Sequence, residues 1–180
     1  LPLAWSEDSG IAWKCKLPEW GDSTPAICGG AVFVTAAADD GQRLLLLKID
    51  RATGRIEWTR QVGSGSTLRG APGTYRGHQK FHDNHNLATP SPVSDGQLVV
   101  VHFGNGDLAA YDFAGKELWK RNLQDDHGTY TIWWGHANSP VLHGDLVIST
   151  CIQDSCSDVQ DKPAESYVVA HDKQTGELRW

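Results

Sequence analysis

The sequence predicts an all-β fold made of repeated small antiparallel sheets, and three observations support this prediction. A motif of aspartate, glycine and tryptophan occurs three times, and its tryptophans recur at intervals of 61 positions. Each copy follows a proline, a glycine turn and a strand rich in valine, leucine or isoleucine. The composition combines 19 Gly and 8 Trp with no Met, which favours many turns and a few large fixed side chains over helical packing.

Each repeat divides into four strands. The first begins at a proline, the second follows a glycine turn, the third ends at the aspartate, and the fourth carries the tryptophan. The glycines allow the positive φ of tight hairpins, the aspartate accepts hydrogen bonds from amides of its own turn, and the tryptophan covers apolar surface between sheets. The residues of the motif are Asp50, Gly54, Trp58, Asp112, Gly115, Trp119, Asp172, Gly176 and Trp180.

Four-stranded antiparallel sheets repeated in this way are the blades of a β-propeller. We expect one partial propeller domain over residues 1–180, with a lead-in at 1–21 and blades at 22–62, 88–123 and 137–180. Runs such as LLLLKI and LVVVHF are apolar on both faces, as expected for a sheet between two neighbours. The two outer sheets should therefore each present an apolar face that further blades of the same chain would cover.

The charge of the chain excludes one class of partner. A formal net charge of −6 provides no basic surface for phosphates, so we expect no nucleic-acid partner. No apolar run approaches the roughly 18 residues of a membrane span, so none is expected. The first ten residues, LPLAWSEDSG, do not have the pattern of a signal peptide.

The four cysteines leave two alternatives open. Their spacing, Cys15, Cys28, Cys151 and Cys156, matches neither a zinc knuckle nor a redox pair. Two local disulfides, Cys15 with Cys28 and Cys151 with Cys156, would indicate an oxidising compartment. Buried free thiols are the alternative.

Loop lengths separate the two faces of the predicted disc. The turns between first and second strands and between third and fourth strands are short, whereas the connections at 62–88, 124–137 and 152–165 are long. We call the side with these long connections the long-loop face. Long connections on a rigid scaffold are the usual location of binding residues, so we expect the functional surface there.

Candidate ligand-binding residues lie in these long connections. Imidazole and carboxylate groups suit several transition metals, so a metal site built from loop histidines is one hypothesis. Trp133 and Trp134, together with Trp20, are candidates for an aromatic platform for a sugar or peptide. The alternative for all of them is an ordinary structural role in the loops. The candidates are His82, Asp83, His85, Asn86, Trp133, Trp134 and His136.

The third copy of the motif, AHDKQTGELRW, resembles the tryptophan-docking repeat of the pyrroloquinoline-quinone-like propellers. The first copy has Lys48 in place of the alanine, and the second is one residue shorter and lacks the threonine. The resemblance covers nearly the whole chain and implies a disc of seven or eight blades. In architecture the sequence is also similar to the outer-membrane assembly lipoproteins.

The resemblance implies two classes of function. The first is a non-catalytic scaffold, periplasmic or secreted, that binds a protein, peptide or carbohydrate through the long-loop face and needs no cofactor. The second is a dehydrogenase dependent on pyrroloquinoline quinone and calcium, with its cofactor ligands outside this segment. Because the chain has no adjacent cysteines and no C-x-x-C-H motif, we expect the scaffold and assign no catalytic residue.

Overall fold

The computed structural model describes residues 3–39, 41–65, 86–132, 135–153 and 165–180. These residues form eleven strands and one short helix. The first sheet contains β1 (Ala26–Cys28), β2 (Ala31–Ala38), β3 (Arg43–Asp50) and β4 (Ile56–Gly63). The second contains β5 (Val93–Ser94), β6 (Leu98–His102), β7 (Asp107–Asp112) and β8 (Glu117–Asn122), and the third contains β9 (Val141–His143), β10 (Leu146–Cys151) and β11 (Tyr167–Asp172). The helix α1 (Leu123–His127) follows β8 directly.

Every strand pairs antiparallel with its sequence neighbour inside its own sheet. The third sheet is extended by the last residues, because Ala170 exchanges backbone hydrogen bonds of 2.8 Å with Arg179 and Trp180. The prediction of an all-β fold built from small antiparallel sheets is therefore confirmed. The first, fifth and ninth strands begin just after Pro25, Pro92 and Pro140, as the repeat predicts.

The repeated aspartate organises the turn that follows it. One carboxylate oxygen of Asp50 accepts hydrogen bonds from the amide and hydroxyl of Thr53, at 2.7 and 2.6 Å. Asp172 accepts from the amides of Gln174 and Thr175 in the same way. Gly176 then adopts a φ of 71°, which a residue with a Cβ rarely adopts. The turn explains why aspartate and glycine recur at fixed spacing.

Three tryptophans make the same hydrogen bond from one layer to the next. The indole nitrogen of Trp58 donates to the carbonyl of Phe113, and that of Trp119 donates to Lys173, at 3.1 and 2.8 Å. Trp13, in the lead-in, donates to the carbonyl of Arg51 at 2.8 Å. Each acceptor is the residue directly after a repeat aspartate, so the contact is periodic across the three sheets.

Two apolar seams hold the three sheets together. The first and second sheets bury Phe33, Leu44, Val99 and Phe103 between them, with Trp58 packed against this cluster. The second and third sheets bury a cluster that includes Leu98, Leu108, Trp119 and Val147. Buried apolar surface of this kind contributes about 25 cal/mol per Å² to folding.

The lead-in corrects one expectation about the exposed faces. Trp13, Cys15 and Leu17 pack against the outer side of the first sheet, on the cluster that contains Val34 and Leu47. The apolar face of the first sheet is therefore covered by the chain itself instead of being open. At the other side, Trp180 is 58% exposed and Val168 is 52% exposed.

Candidate functional site

The short turns of all three sheets lie on one face of the structure, and those of the second and third sheets are tied together. The backbone amide of Arg51 donates to Gly30, and that of Lys173 donates to Asp145, each within one sheet and at 2.9 Å. The ammonium of Lys173 also donates to Asp95 of the second sheet at 3.0 Å. The β2–β3 and β6–β7 turns and the connections between sheets therefore lie on the opposite, long-loop face.

A cluster of three aromatic rings lies toward the long-loop side of the seam between the second and third sheets. His102 ends β6, Tyr130 follows α1, and His136 precedes β9, and all three are almost fully buried. The rings of Tyr130 and His136 stack at 4.4 Å with an interplanar angle of 20°. His102 meets His136 edge to face at 4.8 Å. We call these three residues the histidine–tyrosine cluster.

Hydrogen bonds fix the tautomer of one histidine in this cluster. His102 Nδ1 lies 3.1 Å from the carbonyl of Asn138, which can only accept, so Nδ1 carries the proton. Nε2 of His102 can then accept from the Tyr130 hydroxyl, 3.3 Å away. In contrast, both ring nitrogens of His136 are buried, and neither has a hydrogen-bond partner among the described residues.

Burial sets the protonation of the cluster. It lowers the pKa of His102 to about 4, although the Asn138 carbonyl and Asp107 oppose the shift. Burial and the neighbouring His102 lower the pKa of His136 to about 3. Burial also raises the pKa of Tyr130 well above its usual value. All three groups are therefore neutral near pH 7. In this form they can make hydrogen bonds, and the imidazoles can ligate a metal.

A buried amide network lies beside the cluster, at the loop end of the second sheet. Asp107 accepts from Asn105 Nδ2 at 2.9 Å and from Asn122 Nδ2 at 3.1 Å, and it pairs with Lys120 at 3.6 Å. Asn122 also caps α1 by accepting from the amide of Gln124 at 3.0 Å. The network thus holds the start of α1 and the β6–β7 turn in one arrangement.

The structure describes two of the seven predicted site residues. Asn86 closes a turn, because its side chain accepts from the amide of Ala88 and donates to the carbonyl of Trp20 at 3.2 Å. His136 is placed in the histidine–tyrosine cluster, so these two residues belong to different local groups. The other five lie outside the described residues: His82, Asp83, His85, Trp133 and Trp134.

The cysteine question is answered for one pair. Cys15 and Cys28 carry free thiols, so the alternative of a disulfide between them is wrong. Cys151 is buried, and burial raises the pKa of its thiol to about 11. Its predicted partner, Cys156, lies outside the described residues.

Sequence reasoning missed His102, Tyr130 and Trp13. A signal existed for His102, which is a polar residue at the end of the apolar strand LVVVH. A weaker signal existed for Trp13, which follows Gly10 by three residues instead of the four found in the repeats. Tyr130 had no such signal, because only the packing of the second and third sheets brings it to the histidines.

The periodic contacts between antiparallel sheets define the class of this chain as a β-propeller. The family model described as outer membrane protein assembly factor BamB matches residues 3–180. The chain therefore belongs to this family. No curated protein gives a significant match. In the described part of the chain, no helix is long and apolar enough to cross a membrane.

Solved structures of two kinds have the same fold. The quinohemoprotein alcohol dehydrogenase of Comamonas testosteroni is 22% identical, with a TM-score of 0.64 over 95% of this chain and 22% of its own. BamB from Moraxella catarrhalis is 18% identical, with a TM-score of 0.52 over 93% of this chain and 40% of its own. The quinohemoprotein alcohol dehydrogenase ADHIIG of Pseudomonas putida HK5 is 20% identical, with a TM-score of 0.59. The chain thus spans less than half the length of these proteins.

The dehydrogenases of this fold raise the question of whether this segment fits a quinone with its calcium ion. Among the described residues, Asp107 is the one buried carboxylate. Its oxygens already accept from Asn105 and Asn122, and Lys120 places a positive charge beside it. A calcium site needs several free oxygen ligands. The described residues therefore do not fit such a site.

Proposed function

We propose that this chain is part of a β-propeller scaffold that binds a protein or peptide through its long-loop face, in the periplasm or outside the cell. Membership of the family described as outer membrane protein assembly factor supports a role in protein binding. The exposed faces of the third sheet support packing against further blades of the same chain, with the repeated tryptophan as the docking residue.

One observation carries the proposal most directly. Trp20 lies on the long-loop side, where its backbone carbonyl accepts from the amide of Ala37 near the β2–β3 turn and from the side chain of Asn86. Its neighbour Glu19 accepts from the amide of Asp39 at 2.9 Å. The carbonyl of Trp20 is therefore held by two hydrogen bonds and the side chain of Glu19 by a third, while the side chain of Trp20 remains 53% exposed.

An exposed tryptophan on a fixed backbone has the properties of a binding hot spot. Tryptophan is enriched among residues that dominate binding energy, because its large ring is buried at little cost in conformational entropy. The opposite face is a poorer candidate, because its short turns are occupied by contacts within and between the sheets. The long-loop face is thus favoured as the binding surface.

The test compares two exposed tryptophans on the intact protein. Trp20→Ala removes the proposed hot spot, and Trp5→Ala removes a tryptophan that is 76% exposed in the first part of the lead-in. Both variants and the wild type are applied to a peptide array and a glycan array. We expect Trp20→Ala to weaken peptide binding at least about tenfold, the effect of a modest hot spot, and Trp5→Ala to leave it unchanged.

Two outcomes would contradict the proposal. Equal peptide binding by Trp20→Ala and wild type would exclude the long-loop tryptophan as an anchor, and binding to glycans alone would assign a carbohydrate ligand instead. A dehydrogenase is tested separately by titration with pyrroloquinoline quinone and Ca²⁺. Stoichiometric quinone binding with reduction of an artificial electron acceptor would replace the scaffold with an enzyme.

A further inference from the structure

A second group of histidines lies outside the histidine–tyrosine cluster, nearer the short-turn end of the seam between the second and third sheets. Asp126 and His127 end α1, and His171 lies in β11 of the neighbouring sheet. Each side chain offers one ligand atom, and these three atoms lie within 4.8 Å of one another. None of these three residues belongs to the histidine–tyrosine cluster.

The histidines of this group have buried nitrogens without protein partners. His171 is 0% exposed, and neither of its ring nitrogens is hydrogen-bonded to any of the residues that the structure describes. The Nε2 atom of His127 is also buried and has no hydrogen-bond partner within the described part of the chain. Buried polar atoms are nearly always hydrogen-bonded in folded proteins, so three such atoms beside a carboxylate need an explanation.

The repeat architecture does not require a histidine at this position. The residue before the repeat aspartate is Ile49 in the first sheet and Tyr111 in the second. Ile49 packs in the apolar cluster beneath the lead-in, and the hydroxyl of Tyr111 donates to Glu117 at 3.0 Å. In the two other sheets, the equivalent side chain is therefore accounted for by apolar packing or by a hydrogen bond. His171 differs from both.

Arg121 orients the carboxylate of the group. Its Nε atom donates to Asp126 Oδ2 at 2.8 Å, and its Nη1 atom donates to the carbonyl of Gly176 at 3.1 Å. This contact uses one of the two carboxylate oxygens of Asp126. Burial, together with the charge of Arg121, lowers the pKa of His171 to about 4, so its imidazole is in the neutral form that ligates metals.

We propose that Asp126, His127 and His171 bind one divalent transition-metal ion that links α1 of the second sheet to β11 of the third. Two imidazoles and one carboxylate suit Zn²⁺ or Co²⁺, with water at a fourth position. Zinc–nitrogen bonds of about 2.0–2.1 Å place tetrahedral ligand atoms ~3.3 Å apart. The ligand atoms, now within 4.8 Å of one another, must therefore approach to that distance when the ion binds. The charge of Asp126 is essential, because Arg121 opposes a second cation.

Isothermal titration of the untagged protein with Zn²⁺ tests the site. We expect the wild type to bind one equivalent of Zn²⁺ tightly. His171→Tyr, which installs the residue found at this position in the second sheet, should weaken that binding at least about tenfold. His143→Ala removes an exposed histidine of β9 and serves as the matched control. The double variant His82→Ala/His85→Ala removes loop histidines, and we expect both controls to bind Zn²⁺ like the wild type.

A second variant and a second measurement keep the proposal testable if His171→Tyr does not fold. Asp126→Asn keeps an oxygen for Arg121, removes the negative charge at a surface position, and should weaken Zn²⁺ binding at least about tenfold. Bound Co²⁺ should show the intense visible absorption of a four-coordinate site, lost in the same variant. Loss of the equivalent in His82→Ala/His85→Ala alone, or wild-type affinity in Asp126→Asn, would overturn the proposal.

Discussion

The ring of Trp119 covers Gly176 of the next sheet, and a Cβ atom at Gly176 would lie only 2.7 Å from that ring. The same indole donates its N–H to the carbonyl of Lys173, so one side chain makes both a packing contact and a hydrogen bond across the seam. Trp13 covers Gly54 in the same manner, with a Cβ distance of 2.5 Å. The spacing between the repeat aspartate and glycine serves this contact.

Gly176→Ala should therefore destabilise the protein for two reasons. Its φ of 71° costs about 1–2 kcal/mol for a residue with a Cβ, and the overlap with Trp119 adds about 1–3 kcal/mol. Gly144 is the matched control, since its φ is 58° but nothing lies within 4 Å of its Cβ position. Urea unfolding should show a larger loss for Gly176→Ala, and equal losses would mean that the ring contact contributes nothing.

Trp13→Ala should cost about 2–3 kcal/mol of unfolding free energy, from lost apolar burial and the lost hydrogen bond to Arg51. Trp5→Ala, a change at a far more exposed tryptophan, should stay within about 0.5 kcal/mol of the wild type. Chemical denaturation of both variants measures the difference. Similar values for the two would show that the lead-in does not stabilise the first sheet.

Stability should fall as the pH is lowered through the range set by the buried histidines. His102 and His136 have folded pKa values of about 4 and about 3, below the value of about 6.5 in an unfolded chain. The unfolded state therefore binds more protons between these limits, and stability that is complete above pH 6.5 is lost toward pH 4. Each histidine contributes a slope of about 1.4 kcal/mol per pH unit.

His136→Phe isolates one of these contributions. Phenylalanine keeps an aromatic ring against Tyr130 and removes the titrating group. The slope of unfolding free energy against pH, between pH 4 and 6, should therefore decrease by the contribution of about one proton. His143→Ala, at an exposed position, is the control and should leave the slope unchanged. Unfolding free energies at several pH values measure both slopes. An unchanged slope in His136→Phe would contradict the pKa shift assigned to His136.

Asn122→Ala should be more damaging than its single position suggests, because Asn122 both caps α1 and donates to Asp107. Loss of the cap costs about 1 kcal/mol, and the weakened support of a buried carboxylate adds about 1–3 kcal/mol. Asn138→Ala, which removes one side-chain hydrogen bond to Thr150, should cost about 1 kcal/mol. Thermal unfolding of the pair distinguishes them, and a smaller effect at Asn122 would contradict the network's role.

Much of the fold was predictable because its determinants are local. Asp50 accepts from Thr53 three residues later, and Gly54 supplies a φ of 72° in the same turn, so the sequence pattern is the turn itself. Trp13 was harder to find, because it follows a different glycine spacing and has no repeat aspartate ahead of it. Its role depends on a hydrogen bond to a residue 38 positions away.

The candidate sites depend on long-range packing and were predicted only in part. His136 was identified from its place in a long connection, but its contact with His102 requires the second and third sheets to be packed together. Likewise, His171 and His127 are 44 residues apart in the sequence and approach only across that seam. The repeat pattern predicts only the features that all three sheets share. It does not predict these histidines, because they are not part of the repeated motif.

The tryptophan contact is directional: the lead-in, the first sheet and the second sheet each donate an indole N–H to the layer that follows. Such a head-to-tail junction is heterologous, so the rotation per step, and not the chemistry of the junction, determines how many units close a ring. Duplication of one repeat would therefore create two junctions that already have a compatible donor and acceptor. Propellers of different size can arise from the same unit by this route, with no new kind of contact.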